Sequence, residues 1–140
     1  MKPGSARAPG AVASVRVALS PGELIDKITI LEIKAERIGD AAKRAHVRTE
    51  LDLLARTRDA EVPPGPALDR LTAELRTVNA RLWDVEDELR DCEREQRFDA
   101  DFVRLARAVY RTNDRRAALK KQINTLLGAE IVEEKSYAAY

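Results

Sequence analysis

The sequence predicts an all-α protein, a coiled-coil-like three-helix bundle in which a first helix packs along a long antiparallel helical hairpin. Apolar residues recur every three or four positions along most of the 140 residues, which is the spacing of one helix face. A proline-rich segment at 62–66 and a short link at 98–100 divide this pattern into separate helices. Aromatic residues make up only 4% of the chain, so we expect a core of Leu, Ile, Val and Ala.

The first helix has a clear N-terminal signal. Ser20 can act as the N-cap, Pro21 occupies the first helical position, and Glu23 completes a capping box. An apolar seam follows, although Gly39-Asp40 predicts a kink or short break near residues 39–46. The seam comprises Leu24, Ile28, Leu31, Ala35, Ile38, Ala42 and Ala45, and beyond the glycine it shifts to Val47, Leu51 and Leu54.

Residues 66–97 and 99–127 are expected to form the hairpin. Pro66 can open its first helix, Asp99 can cap its second, and Gly128 is a typical C-terminal stop. The short link between the two helices favours an antiparallel arrangement. The seam of the first of these helices is the most sustained pattern in the chain: Leu68, Leu71, Leu75, Val78, Leu82, Val85, Leu89 and Cys92.

Opposite charges support the same hairpin. Residues 84–95 contain seven acidic side chains, and the helix that folds back beside them begins with several arginines. The antiparallel register predicts that Glu93 pairs with Arg104 and that Glu86 pairs with Arg111.

The ends of the chain carry weaker patterns. Residues 1–14 are rich in Gly, Ala and Pro, which predicts a flexible tail before a single helical domain at 15–140. Apolar residues alternate with others in residues 15–19, which permits a short N-terminal strand. Ile131-Val132 is the only candidate partner for such a strand.

The composition excludes several classes of protein. A net charge of +1 does not favour binding to nucleic acid or to an anionic membrane. The single cysteine, Cys92, excludes an internal disulfide, and with a single histidine it argues against structural zinc. No apolar run approaches the roughly 20 residues of a membrane-spanning helix. We therefore expect a cytoplasmic protein with no metal, no cofactor and no catalytic residues that the sequence identifies.

Four arginines lie on one face of the last helix. Arginine forks suit phosphate groups, so these residues are candidates for binding an anion or a polyanion. The alternative, favoured by the many nearby acids, is that they pair with the preceding helix. The four are Arg104, Arg107, Arg111 and Arg115.

A second set of polar residues lies on or beside the apolar faces. Buried polar groups must be satisfied or they cost stability. These residues therefore form either a polar layer that fixes helix register, which we favour, or a small pocket for an anionic or sugar-like ligand. The candidates are Glu23, Asp26, Lys27, Asn79, Trp83, Glu86, Arg90, Asn113, Arg116, Lys120 and Asn124.

The first helix carries apolar residues on two sides. Ile30 and Ile33 lie away from its seam, and a helix that is apolar on two sides has two neighbours. Either the last helix and the tail cover both sides, or a second subunit covers one. The second explanation predicts a homodimer.

Five segments of the chain resemble a family of short bacterial proteins of unknown function. The resemblance extends over roughly residues 15–140, and it implies no activity. It implies an association with genes for surface-glycan synthesis, and it places Glu133-Glu134-Lys135 in the family pattern with several polar candidates. The segments are 20–34, 78–87, 98–110, 113–117 and 133–137.

The leading functional hypothesis is a non-enzymatic helical scaffold that assembles with itself or with a partner protein. Its basis is the dominance of coiled-coil patterning and the lack of a catalytic motif. The alternative is an enzyme or small-ligand-binding protein with an interhelical polar or anion site. Residues 24–38 are similar in texture to the all-helical chorismate mutases, but the Arg-x-x-Ile-Asp opening of that family does not line up. Convergence of the polar candidates on one cavity would favour the alternative.

Overall fold

The protein is described by a computed structural model that covers residue 10 and residues 13–140. That part of the chain forms four α-helices: α1 (Pro21–Arg37), α2 (Ala41–Glu61), α3 (Pro66–Arg94) and α4 (Ala100–Leu127). Helix α1 contacts each of the other three, α3 contacts α4, and α2 contacts only α1 among the described helices. Helix α1 is therefore the centre of the bundle. The flexible tail predicted for residues 1–14 lies mostly outside the described residues.

The prediction of a three-helix bundle is wrong, because the first predicted helix is two helices. Ile38 leaves the helical region (φ −77°, ψ 121°), and the side chain of Asp40 then caps a new helix by accepting from the Lys43 amide at 2.8 Å. Val62, just after α2, packs against a cluster that contains Ile25 near the start of α1. The break at 38–40 is thus a reversal rather than a kink, and α2 runs back along α1.

Helices α3 and α4 pack antiparallel around a shared apolar interior. Helix α3 ends at Arg94 rather than near residue 97, and the following turn contains Gln96 at φ 53°. Asp99 then caps α4 by accepting from the Phe102 amide at 3.2 Å, and Gly128 ends that helix in the left-handed region at φ 64°. Two clusters fill the interior, one of Ile25, Leu68, Leu71, Leu75, Leu119 and Ile123, the other of Val85, Cys92 and Leu105.

The predicted N-terminal strand is wrong. Residues 13–140 contain no strand, and both Val15 and Val17 are exposed. Residues 131–132, the expected partner, lie in the irregular C-terminal segment and are about half exposed. None of the helices in the described part of the chain is long and apolar enough to cross a membrane.

The apolar surface on several sides of α1 is covered within one chain. Ile33 is only 2% exposed and Ile30 is partly buried, because α1 has three helical neighbours. The homodimer was predicted because α1 is apolar on two sides, and the helices of a single chain already account for this feature.

Candidate functional site

A buried carboxylate joins α1 to α3 and α4. The side chain of Asp26 is 0% exposed, and Arg116 of α4 donates to both of its oxygens, from Nε to Oδ1 at 2.9 Å and from a terminal nitrogen to Oδ2. Such a two-pronged pair is the strongest geometry available to these two side chains. Hydrogen bonding to Asp26 also raises the pKa of Arg116, although burial opposes the shift.

Two uncharged residues complete this group, which we call the Asp26 cluster (Asp26, Thr29, Asn79 and Arg116). The Nδ2 group of Asn79 donates to Asp26 Oδ1 and to Thr29 Oγ1, each at 2.9 Å. The hydroxyl of Thr29 in turn donates to the Asp26 carbonyl at 2.8 Å. The members are thus bonded to one another at the junction of α1, α3 and α4, which fixes the relative position of these helices.

A lysine bridge lies beside the cluster. The Nζ atom of Lys120 is 2.6 Å from Glu23 Oε2 and 3.1 Å from Glu133 Oε2, and the lysine side chain is 13% exposed. Burial lowers the pKa of Lys120, but hydrogen bonds to the two glutamates more than offset this, and the net pKa is raised. The hydrogen bond from Lys120 lowers the pKa of Glu133. The bridge ties the C-terminal segment, residues 129–140, to α1 and α4.

The first turn of α1 approaches α4 closely. The amide of Gly22 donates to Asn124 Oδ1 at 2.7 Å, and Asn124 is almost fully buried. The amides of the first helical turn lack partners within the helix, so Asn124 acts as a cap supplied by another helix. Glu23, predicted to complete the capping box, directs its carboxylate to Lys120 instead.

Six of the predicted polar-site residues meet at this junction and five do not. Lys27 is exposed, Trp83 lies beneath Arg37 (5.9 Å from the guanidinium carbon to the ring centre), and Glu86 and Arg90 face solvent. Asn113 lines a different groove on α4. The residues that meet are Glu23, Asp26, Asn79, Arg116, Lys120 and Asn124.

Helix periodicity alone missed three members of the junction. Thr29 could have been found, because it lies one turn after Asp26 on the same face of α1. Gly22 gave no such signal, because it acts through its missing side chain. Glu133 was indicated only by the family resemblance, because it lies in an irregular segment where helix periodicity says nothing.

The junction has little free space. A gap of about 20 Å³ lies beside Lys120, Asn124 and Glu133, which is room for about one water molecule. The polar side chains of the junction therefore bond mainly to one another. Residues 13–140 also contain no group of three or more His, Cys, Asp or Glu side chains arranged to hold a metal ion.

The predicted pairing of the α4 arginines with α3 is wrong for both named pairs. Arg104 lies 3.7 Å from Asp101 of its own helix, and neither Glu93–Arg104 nor Glu86–Arg111 is among the ion pairs within 4.0 Å that the described residues form. Arg115 does pair with α3, but with Glu74, at 3.0 Å. The register along the hairpin was estimated from sequence alone, whereas the rotation of each helix decides which side chains face each other.

A larger groove, about 910 Å³, lies between α4 and the C-terminal segment. Tyr110 of α4 meets Tyr140 edge to face, with ring centres 5.1 Å apart, and the Tyr140 hydroxyl donates to Asp114. Lys135 lies 5.8 Å from the centre of the Tyr137 ring on the same side. The groove is therefore lined by aromatic rings with a few polar groups among them.

The docking of the C-terminal segment should depend on pH in both directions. Because the pKa of Glu133 is lowered, its contact with Lys120 is present above the ordinary value of 4.5 and is lost as pH falls through the lowered pKa. Because Asp114 raises the pKa of Tyr140, that contact is present below the ordinary value of 10.0 and is lost as pH rises through the raised pKa. Amide chemical shifts of residues 133–140 should therefore report detachment at acidic and at strongly alkaline pH.

Glu133→Gln should remove the acidic transition and leave the alkaline one, whereas Glu134→Gln should preserve both. An acidic transition that survives in Glu133→Gln would show that another group controls the segment.

Residues 15–140, nearly the whole chain, match the family of unknown function DUF6165. No curated protein and no solved structure shows significant similarity to the chain. The family match spans all four helices, the junction around Asp26 and the C-terminal segment. The chain therefore belongs to the DUF6165 family of unknown function.

Proposed function

We propose that the protein is a non-enzymatic helical binding module that associates with a second copy of itself through α4 and the C-terminal segment. One observation carries the proposal. The polar side chains at the helix junction are bonded to one another around a gap of about 20 Å³, whereas the tyrosine-lined groove on α4 is open. Tyrosine supplies a large contact area at low entropic cost, which is why it is enriched in protein interfaces.

The C-terminal segment is suited to exchange between two copies. It is irregular, begins after the left-handed Gly128, and is anchored through Glu133 and Tyr140. Most of its apolar side chains are exposed, including 81% of Tyr137. Exchange of such a segment would form the same contacts between two chains as within one chain, which makes it a low-cost route to a dimer.

Size-exclusion chromatography with light scattering tests this proposal. At concentrations of about tens of micromolar, we expect the wild type to be a dimer, corresponding to a Kd in or below the micromolar range. The double variant Ile131→Glu, Tyr137→Glu should be a folded monomer, since both side chains are exposed in a single chain and the association of two copies would have to cover the new charges. Leu53→Glu is the matched control, because Leu53 is 56% exposed on α2, which packs only on α1 among the described helices. A wild type that stays monomeric, or an equal effect of Leu53→Glu, would contradict the proposal.

The second candidate is an enzyme or small-ligand-binding protein with an interhelical polar or anion site, linked to surface-glycan synthesis as the resemblance implies. Its support is the position of Lys120, which is 13% exposed and reaches a carboxylate of the C-terminal segment. A ligand carboxylate that took the place of Glu133 would meet Lys120 with Arg116 nearby. Saturation-transfer NMR with glucuronate discriminates the two candidates. A signal that Lys120→Gln abolishes and Lys121→Gln retains would favour this second function.

A further inference from the structure

Three arginines of α4 line one concave surface, which we call the arginine pocket. Arg104, Arg107 and Arg111 surround a space of about 300 Å³, and the remaining lining residues are Ala100, Val103 and Ala108. No acidic side chain is among the lining residues. Asp101 offsets part of the charge of Arg104 at 3.7 Å, and in the described part of the chain neither Arg107 nor Arg111 has a carboxylate within 4.0 Å.

This arrangement is electrostatically unfavourable without a counter-ion. Like charges three or four residues apart on a helix repel each other and destabilise it. The chain has 24 acidic and 25 basic residues, so acids are available, and other arginines form ion pairs with them. Arg37 pairs with Asp84 at 2.6 Å and Arg115 with Glu74 at 3.0 Å. The pocket instead gathers positive charge around one concave surface, where a bound anion would relieve the repulsion.

We propose that the arginine pocket binds a compact phosphate-bearing ligand of the pyrophosphate or phosphate-ester type, either free or as a lipid headgroup. Guanidinium forks match the oxygens of a phosphate group and can bind them in pairs, so three forks suit a group with several anionic oxygens. Helix periodicity places the three on one face over two turns, so all three can reach one small ligand.

The surroundings favour a compact ligand over a nucleic acid. Helix α3 packs against α4, residues 84–95 at the C-terminal end of α3 contain seven acidic side chains, and the net charge of the chain is only +1. An extended polyanion leaving the pocket would meet that acidic surface, whereas a ligand held inside the pocket would not. The proposal does not depend on self-association.

Isothermal titration calorimetry with inorganic pyrophosphate at low salt tests the free form, and sedimentation with vesicles tests the lipid form. The vesicles contain phosphatidylcholine alone or phosphatidylcholine with phosphatidic acid. The test variant is Arg107→Gln, Arg111→Gln. The matched control is Arg48→Gln, Arg56→Gln, which removes the same charge from exposed positions on α2. Circular dichroism establishes that each variant is folded.

We expect the test variant to lose affinity by about 10-fold or more and the control by no more than about 2-fold, with the wild-type affinity falling as salt rises. Amide shifts of the wild type on adding pyrophosphate should centre on residues 100–111. Binding to pyrophosphate assigns a free ligand, and binding only to phosphatidic acid vesicles assigns a headgroup. Absence of both, equal losses in the two variants, or binding to single-stranded RNA alone would overturn the proposal.

Discussion

Arg116→Ala should lower the free energy of unfolding by roughly 3–5 kcal/mol, the range for breaking a buried ion pair from one side. The change removes both hydrogen bonds that Arg116 makes and leaves the carboxylate of Asp26, which is 0% exposed, with Asn79 alone. Urea denaturation followed by circular dichroism measures the change.

Arg115→Ala is the matched control for this prediction. Arg115 pairs with Glu74 at 3.0 Å, but both side chains are about half exposed, so the loss should stay below about 1 kcal/mol. The double variant Asp26→Leu, Arg116→Leu should be more stable than Arg116→Ala, because it removes the unpaired buried charge. If Arg116→Ala and Arg115→Ala were equally stable, the Asp26 cluster could not be what holds the three helices together.

The features that the sequence predicted correctly are governed by local rules. Ser20 caps α1, Asp99 caps α4 and Gly128 ends α4 in the left-handed region, as expected. A cap depends on one side chain and the amides of the next turn, so a few neighbouring residues contain all the information needed. The all-helical class follows in the same way from sustained apolar spacing.

Local sequence rules could not predict the number of helices. Gly39-Asp40 indicated an interruption, but a kink and a reversal have the same local sequence. The difference is decided by where the next helix finds apolar surface, and α2 finds it on α1. Helix α2 has no buried residue, so its own pattern gave little warning that it was a separate helix.

For the polar site, too, the sequence predicted which side chains face inward but not which residues they contact. A helical wheel placed Asp26, Asn79 and Arg116 near apolar faces, and the structure brings them together. A wheel gives the direction of a side chain along one helix, however, and not the residue opposite it. Arg116 was therefore assigned no partner, and Arg104 and Arg111 were assigned partners on α3 with which they form no ion pair.

Gly22→Ala should be destabilising by about 2–4 kcal/mol, although alanine is the better helix former. A β-carbon at this position would overlap the backbone carbonyl oxygen of Lys120 and lie 2.9 Å from Asn124 Oδ1. To relieve the overlap, α1 must move away from α4, which stretches the 2.7 Å hydrogen bond from the Gly22 amide to Asn124. The expected loss combines overpacking, about 1–3 kcal/mol, with a weakened buried hydrogen bond, about 1 kcal/mol.

Two further variants separate this contact from a general effect of replacing glycine. Gly39→Ala meets no atom within 4 Å and needs no left-handed backbone, so it should be neutral or stabilising by up to about 1 kcal/mol. Asn124→Ala in the Gly22→Ala background should not restore stability, because the overlap with the Lys120 backbone remains. Urea denaturation of the four proteins measures these differences. Similar stabilities for Gly22→Ala and Gly39→Ala would mean that α1 and α4 do not approach each other this closely, and the placement of Asn124 as the cap of α1 would then be wrong as well.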